Sequence, residues 1–429
     1  ETAGIMKKLI LYSLLACMTF SMQSCLFSEE DLFEQSSADR ENASVLELKS
    51  LLTSSTNGWK LEYRYGNEGR GGAANLFFKF DANEVTIASD YATSSYSPGQ
   101  TAASLYTVQS YNGTEISFDS YNEILHAFCE PNGYNDPGLM GDYEFIVRSM
   151  SENEIHLAGK KYGVEMVMTR LDDTVDWTTY LAAAAQISED SDYNLFSLMQ
   201  GDQKVASVMR EDRAFLLESV DENGTPSYSY FPFVCTETGV RTLEPMVCNG
   251  ISMQNFTWDN ATSTFTCTDE GSNVKLVFER PANYEKYLGT YRVQSGSSSF
   301  SLTLEKKKDG KSYQATKVYN LNSGGTWSMT IEFYYDAERD DISANGQVVG
   351  YMDGAAVGLY PGTRSEGSFY PTLETVFEGT TTEQDGQMTI TFENSPYGSD
   401  GNDWLFIYNS GGYSLMTAWE NPVFTKVSD

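Results

Sequence analysis

The chain has 429 residues, with 28 basic and 60 acidic side chains and a formal net charge of -32. That balance argues against binding a nucleic-acid backbone, which needs clustered Lys and Arg, and against docking on an anionic membrane through a basic face. Aromatic residues make up 13%, too many for a disordered acidic chain, so the length is read as two or three folded domains.

Met6 reads as the start of a secretory pattern, and residues 1–5 are set aside. Lys7-Lys8 form a basic region and Leu9 to Ala16 an apolar one. Two cysteines stand where such a segment ends. Cys17 follows Leu14-Leu15-Ala16, the tighter lipobox, and Cys25 follows Met22-Gln23-Ser24. Spacing favours Cys25, because an end at Cys17 leaves a short apolar core and an uncharged start to the mature chain. After Cys25 the text turns at once to Leu26-Phe27-Ser28-Glu29-Glu30-Asp31. Residues 1–24 are therefore expected to be a signal peptide, with Cys25 as the lipid attachment site. The competing reading, an uncleaved helix from Leu9 to Phe27, is weakened by Ser13, Thr19, Ser21, Gln23 and Ser24.

The acidic run behind Cys25 resembles the start of mature Bacteroidota surface lipoproteins. Gly58-Trp59-Lys60-Leu61-Glu62-Tyr63, Phe77-Phe78-Lys79-Phe80, Ser117-Phe118-Asp119 with His126-Ala127-Phe128, and Gly141-Asp142-Tyr143-Glu144-Phe145 resemble an uncharacterised lipoprotein family of these bacteria. The resemblance is good over residues 25 to 175 and loose beyond. It implies a lipid anchor in the outer membrane, display on the cell surface and a SusC/SusD-type nutrient-import complex as partner. The family carries no established activity, so it supplies no catalytic residues.

Along the mature chain, residues 25–57 read as a lipidated tether and an amphipathic helix, with Val45, Leu48, Leu51 and Leu52 on one face and Asn57-Gly58 as the stop. Residues 58–173 read as a first β domain. Trp59, Leu61, Tyr63 and Tyr65 alternate at period two, and further strands are expected at 76–80, 84–88, 104–109, 115–118, 143–149, 154–158 and 164–169. Residues 174–283 read as a helical junction, capped by Asp173 or Thr174, and a second β domain from about Ala206. Residues 284–429 read as a third, with strands near Tyr291, 300–304, 328–335, 387–392 and 404–408. The fold class is all-β: mainly antiparallel sandwich or barrel-like domains with an N-terminal amphipathic helix and a helical junction.

Catalytic motifs are scarce. His126 and His156 are the two histidines, too few for HExxH or a three-histidine metal site. Gly310-Lys311-Ser312 lacks the first glycine of a phosphate loop and reads as a turn. Asp119, Glu123 and His126 have the spacing of a weak metal site but read better as a polar edge. Asp340-Asp341 and Asp172-Asp173 read as solvated turns and caps, and Asp400 to Asp403 lacks the spacing of a calcium loop. Cys129, Cys235, Cys248 and Cys267 allow three pairings or none. Asp173-Thr174-Val175 resembles a short O-glycosylation motif of the same bacteria. No cofactor and no metal are expected.

Three functions remain: a capture or accessory lipoprotein for nutrient import, a carboxylate-dependent hydrolase of the same system, and a fimbrillin-like adhesin subunit. The first is preferred, with a glycan or peptide as ligand and no nucleic acid. The candidate ligand-binding residues are Tyr397, Asn402, Asp403 and Trp404. There a polar loop runs into an aromatic strand, and a flat ring beside amide and carboxylate groups suits a polyol. The competing reading puts Trp404 inward beside Phe406, which shares its strand parity.

Overall fold

The computed structural model describes residues 37–428 apart from 112, 132–135, 221–224, 322–324, 338, 366–367, 372–375, 395–401 and 410–412. The signal segment, Cys25 and Tyr397 lie outside the described residues. The described chain is mostly antiparallel β structure, and it divides into two compact units at Ala185/Gln186.

The first unit is built on one nine-stranded sheet. From one edge it runs Thr101–Leu105, Glu84–Ser89, Gly72–Phe80, Trp59–Tyr65, Glu165–Arg170, Glu154–Gly159, Glu144–Met150, Thr114–Ser117 and Thr107–Ser110. The period-two residues Trp59, Leu61, Tyr63 and Tyr65 are all buried on one face, where Leu48 and Leu52 of the helix Ser37–Thr53 join them. The Trp59 indole N–H donates to the Leu52 carbonyl at 3.0 Å, which locks helix end to strand start. Gly58 makes the turn between them at φ 85°, where a Cβ would lie 2.3 Å from the Phe78 carbonyl oxygen. On the other face Phe77 and Ala88 pack with Leu181 of the helix Trp177–Asp190. Gly72–Phe80 is therefore covered on both sides, and all its residues but Lys79 are buried.

The cap of that second helix lies later than the sequence suggests. Asp172 is occupied by the Thr174 amide and hydroxyl, and Asp176 accepts the Thr179 amide at 2.8 Å, so Asp176 is the cap.

The second unit contains two closed barrels. In the first barrel, eight consecutive strands from Leu195–Gln200 to Val274–Phe278 each pair with the next, and the last returns to the first. Its interior is filled by Phe196, Phe215, Phe233, Phe256 and Phe265 in mutual ring contact. Arg210, 6% exposed, donates to the carbonyls of Ser188, Ser191 and Asp212 and ties this barrel to the end of the helix before it.

The second barrel of the unit runs Gly289–Ser295, Ser298–Lys308, Ser312–Leu321, Gly325–Asp336, Asp341–Asn345, Val376–Gln384, Gln387–Asn394 and Val423–Ser428, the last pairing with the first. Tyr284, Tyr287, Tyr313 and Tyr335 close one end. Tyr284 and Tyr313 stack at 4.5 Å, and the Tyr313 hydroxyl donates to the Tyr284 carbonyl at 2.6 Å. Asp340, expected in a solvated turn, accepts from Lys286, Tyr335 and Asn283 at this closed end. A second sheet leaves this barrel: Gln347–Met352, Ala355–Ser365, Asp403–Asn409 and Tyr413–Trp419, with Ser368–Pro371 paired to Ala355–Ser365. Its inner face, Val357, Leu359, Trp404, Phe406 and Trp419, joins the barrel core.

Candidate functional site

Strand parity decides the fate of the predicted ligand residues. Trp404 pairs with Pro361 and Phe406 with Leu359, so both aromatic side chains face the core. Trp404 is 0% exposed, 4.4 Å from Phe377 and 5.1 Å from Phe392 between ring centroids, and stacked on Trp419 at 5.6 Å. Its ring presents no face to a ligand, which corrects the expected stacking role. Asp403 is 3% exposed and accepts the Asn421 amide at 3.0 Å, while the Asn421 side chain accepts the Asn402 amide at 3.2 Å. Asp403 thus fastens two strand ends together, which corrects its assignment to a binding loop, and Asn402 joins the same junction through its main-chain N–H.

The same strand builds a different surface one residue over. Leu405 and Ile407 point outward and pair with Tyr360 and Gly358. Leu415 stands across from Ile407, Pro371 across from Gly362, and Val348 across from Gly358. An antiparallel sheet with one face on a core is expected to be polar on the other, yet this outer face is aliphatic and aromatic. Tyr360, Phe369, Pro371, Leu405, Ile407 and Leu415 line a shallow cavity of about 430 Å³. Tyr360 is 42% exposed and Leu415 46%.

Two glycines shape the cavity. A Cβ at Gly358 would lie 2.5 Å from Tyr360 Cε2 and 2.8 Å from its hydroxyl, so the ring lies along the strand over Gly358. A Cβ at Gly362 would lie 2.2 Å from Leu405 Cδ1. The absent side chains let one ring lie flat and one leucine pack beneath it.

At the far edge Val348 and Tyr351, 55% and 68% exposed, carry the apolar face into a second cleft of about 300 Å³. That cleft is polar. Gln314, Thr330 and Gln347 line it with the Lys307–Glu332 ion pair. Gln347 accepts the Glu332 amide at 2.8 Å and donates to the Glu332 carbonyl at 3.0 Å, which pins the sheet to the barrel wall. The sequence signal for this face was the alternation Gly358, Tyr360, Gly362, which reads as turn-rich rather than as strand.

The remaining chemistry is structural. Glu123 accepts from Thr93, Ser94 and Ser95, and these bonds, Thr93 first, hold its carboxyl down to about 2. His126 lies between Tyr121 and Tyr143 with Nδ1 on the Asn122 main chain. Glu123 is thus spent on the 93–95 loop. Among the described residues no three His, Cys, Asp or Glu side chains gather as a metal site. Cys129, Cys235, Cys248 and Cys267 are free thiols. Burial pushes the Cys129 thiol up to about 12, the direction that favours the thiol over the thiolate. No helix among the described residues is long and apolar enough to cross a membrane.

Fold and surface together define a β protein of two closed barrels and a broad sheet, with an apolar outer face. Residues 29–260 match the family described as a domain of unknown function (DUF4302), and the chain belongs to that family. A search of curated proteins returns no match. Among solved structures, intact Ap-TbpB (N and C lobes) is similar at 11% identity over 85% of this chain and 68% of its own, with a TM-score of 0.13. The Helicobacter pylori beta clamp in complex with carprofen is similar at 10% identity over 91% and 98%, with a TM-score of 0.09. Similarities of this size carry no structural argument.

Proposed function

We propose that the protein is a lipid-anchored capture protein of the outer cell surface, serving a nutrient-import system, and that it holds an oligosaccharide on the outer face of the projecting sheet. The observation that carries this reading is the Tyr360 ring lying flat over Gly358 on a rigid strand. Sugars present apolar C–H faces to flat rings and hydroxyls to amide and hydroxyl groups. The face offers both: Tyr360 and Tyr351 on its surface, and Gln314 and Thr330 in the cleft at its edge. The cavity falls in the range of small-ligand pockets, and its shallow form suits a chain that passes across it. The apolar-to-acidic switch at Cys25 supports the anchor and the surface display.

The test is a soluble-glycan screen by calorimetry on the full mature chain, followed by Tyr360→Ala. A glycan that binds saturably, and loses about tenfold or more in affinity in the variant at unchanged melting temperature, supports the reading. A screen in which peptides bind and glycans do not would sink it, as would full affinity in Tyr360→Ala.

A further inference from the structure

The strand Ser312–Leu321 departs from the rule that fills a small barrel. Interior-facing positions alternate with outer ones along every barrel strand. Tyr313 and Ala315 are buried, and Lys317 and Tyr319 follow in the same parity, so a lysine stands where an apolar side chain is expected. The tyrosines described above close the other end of this barrel. Around Lys317 are Phe300, Tyr319 and Trp419. The ammonium lies 3.9 Å from the Phe300 ring centroid and 5.0 Å from that of Tyr319. Phe300 contacts Trp419 at 4.8 Å, and the Trp419 indole N–H donates to the Tyr319 hydroxyl at 3.2 Å. Phe300, Lys317 and Tyr319 are all partly exposed, so this end opens to solvent.

Lys317 has no carboxylate partner among the described residues. Lys286 and Lys311, also partly buried, pair with Asp340 and Asp192, and Lys308 donates to the Glu189 and Asp190 carbonyls, whereas the Lys317 ammonium has only ring faces. In a chain of net charge -32, a lysine left without an acid inside a barrel is out of pattern. Burial pushes the Lys317 ammonium down, while the two ring faces attract the cation. The Tyr319 hydroxyl accepts from Trp419 and keeps its own proton to donate, and burial raises its pKa so that it stays protonated.

We propose that the open end of this barrel binds a small carboxylate, with Lys317 as the cationic anchor and the Tyr319 O–H as second donor. One cation and one neutral donor match a single negative charge. A phosphoryl group carries about -1.5 to -2 and calls for an arginine fork or several cations. The partly exposed Phe300 ring suits an apolar body behind the carboxylate. This site is separate from the outer face of the sheet and does not rest on the oligosaccharide reading.

The experiment is a fluorescence titration of the full mature chain with acetate, benzoate, galacturonate and N-acetylneuraminate, with methyl esters and inorganic phosphate alongside. At least one acid is expected to saturate, with its ester about tenfold weaker or more. Lys317→Met should remove the binding, Lys317→Arg should keep most of it, and Tyr360→Ala should leave it unchanged. Lys317→Met should also hold or raise the melting temperature, because it takes an unpaired charge out of a partly buried place. The proposal is overturned by an absence of saturation with every acid, by equal affinity for acid and ester, or by phosphate binding more tightly than the acids. A fall in melting temperature on Lys317→Met would overturn it too, since it would make the lysine structural.

Discussion

The two barrels of the second unit have the same strand count and opposite characters. The barrel from Leu195 to Phe278 uses consecutive strands, fills itself with phenylalanine and leaves no strand outside its ladder. A sheet closed in this way has no free edge. The barrel from Gly289 to Ser428 interrupts its order twice, and the strands released build a sheet with an apolar outer face. It also admits a lysine to its interior. Plain closure thus gives a barrel alone, and interrupted closure releases strands that build a second sheet.

The comparison breaks first if the two barrels do not hold separate cores. Trp404→Ala should cost about 3–5 kcal/mol in the interrupted barrel, and Phe215→Ala a similar amount in the plain one. Native-state hydrogen exchange should show each loss confined to its own barrel, and protection lost equally in both would mean one cooperative body. The next effect is smaller and concerns binding. Gly358→Ala forces the Tyr360 ring off the strand, so glycan affinity should fall about fivefold, roughly 1 kcal/mol, with little change in stability. The smallest effect sharpens the account of the closed tyrosine end. Burial pushes the Asp340 carboxyl up, but hydrogen bonds from Lys286, Tyr335 and Asn283 outweigh it, and the net direction is down. A lowered carboxyl stabilises the fold above its usual value near 3.8 and loses that contribution as pH falls through the folded value. The melting-temperature gap between the native chain and Asp340→Asn should therefore be full at neutral pH and close below 3.8.

The first sheet was the most legible part of the chain, because rows such as Trp59, Leu61, Tyr63 and Tyr65 bury one face. One break there was hidden. Residues 104–109 read as one strand, yet the chain turns at Tyr106, and the two halves pair at opposite edges of the sheet. The Tyr106 hydroxyl donates to the Asp81 carbonyl at 2.8 Å, a contact between distant residues that alternation does not reveal. In the interrupted barrel, strands such as Ser312–Leu321 and Val376–Gln384 went unread, because Thr, Ser, Gln and Glu occupy their outer positions and blur the period. The candidate site failed on orientation. Sequence parity places Trp404 and Phe406 on one face, but Val357 and Leu359 across the ladder decide that this face is the inner one. Lys317 carried a readable signal, a cation in the apolar parity of its strand, obscured by the exposed Val318 beside it.

The pairing of Gly289–Ser295 with Val423–Ser428 also orders events in time. Leu198 meets Leu276 to close the plain barrel, whereas Tyr291 waits for Lys426 to close the other. During synthesis the plain barrel can be complete while its neighbour still shows the open edge of Gly289–Ser295. Closure over the longer loop carries the larger entropy cost and the slower rate. Until the last strand arrives, that exposed edge is the segment of this unit most in need of a chaperone.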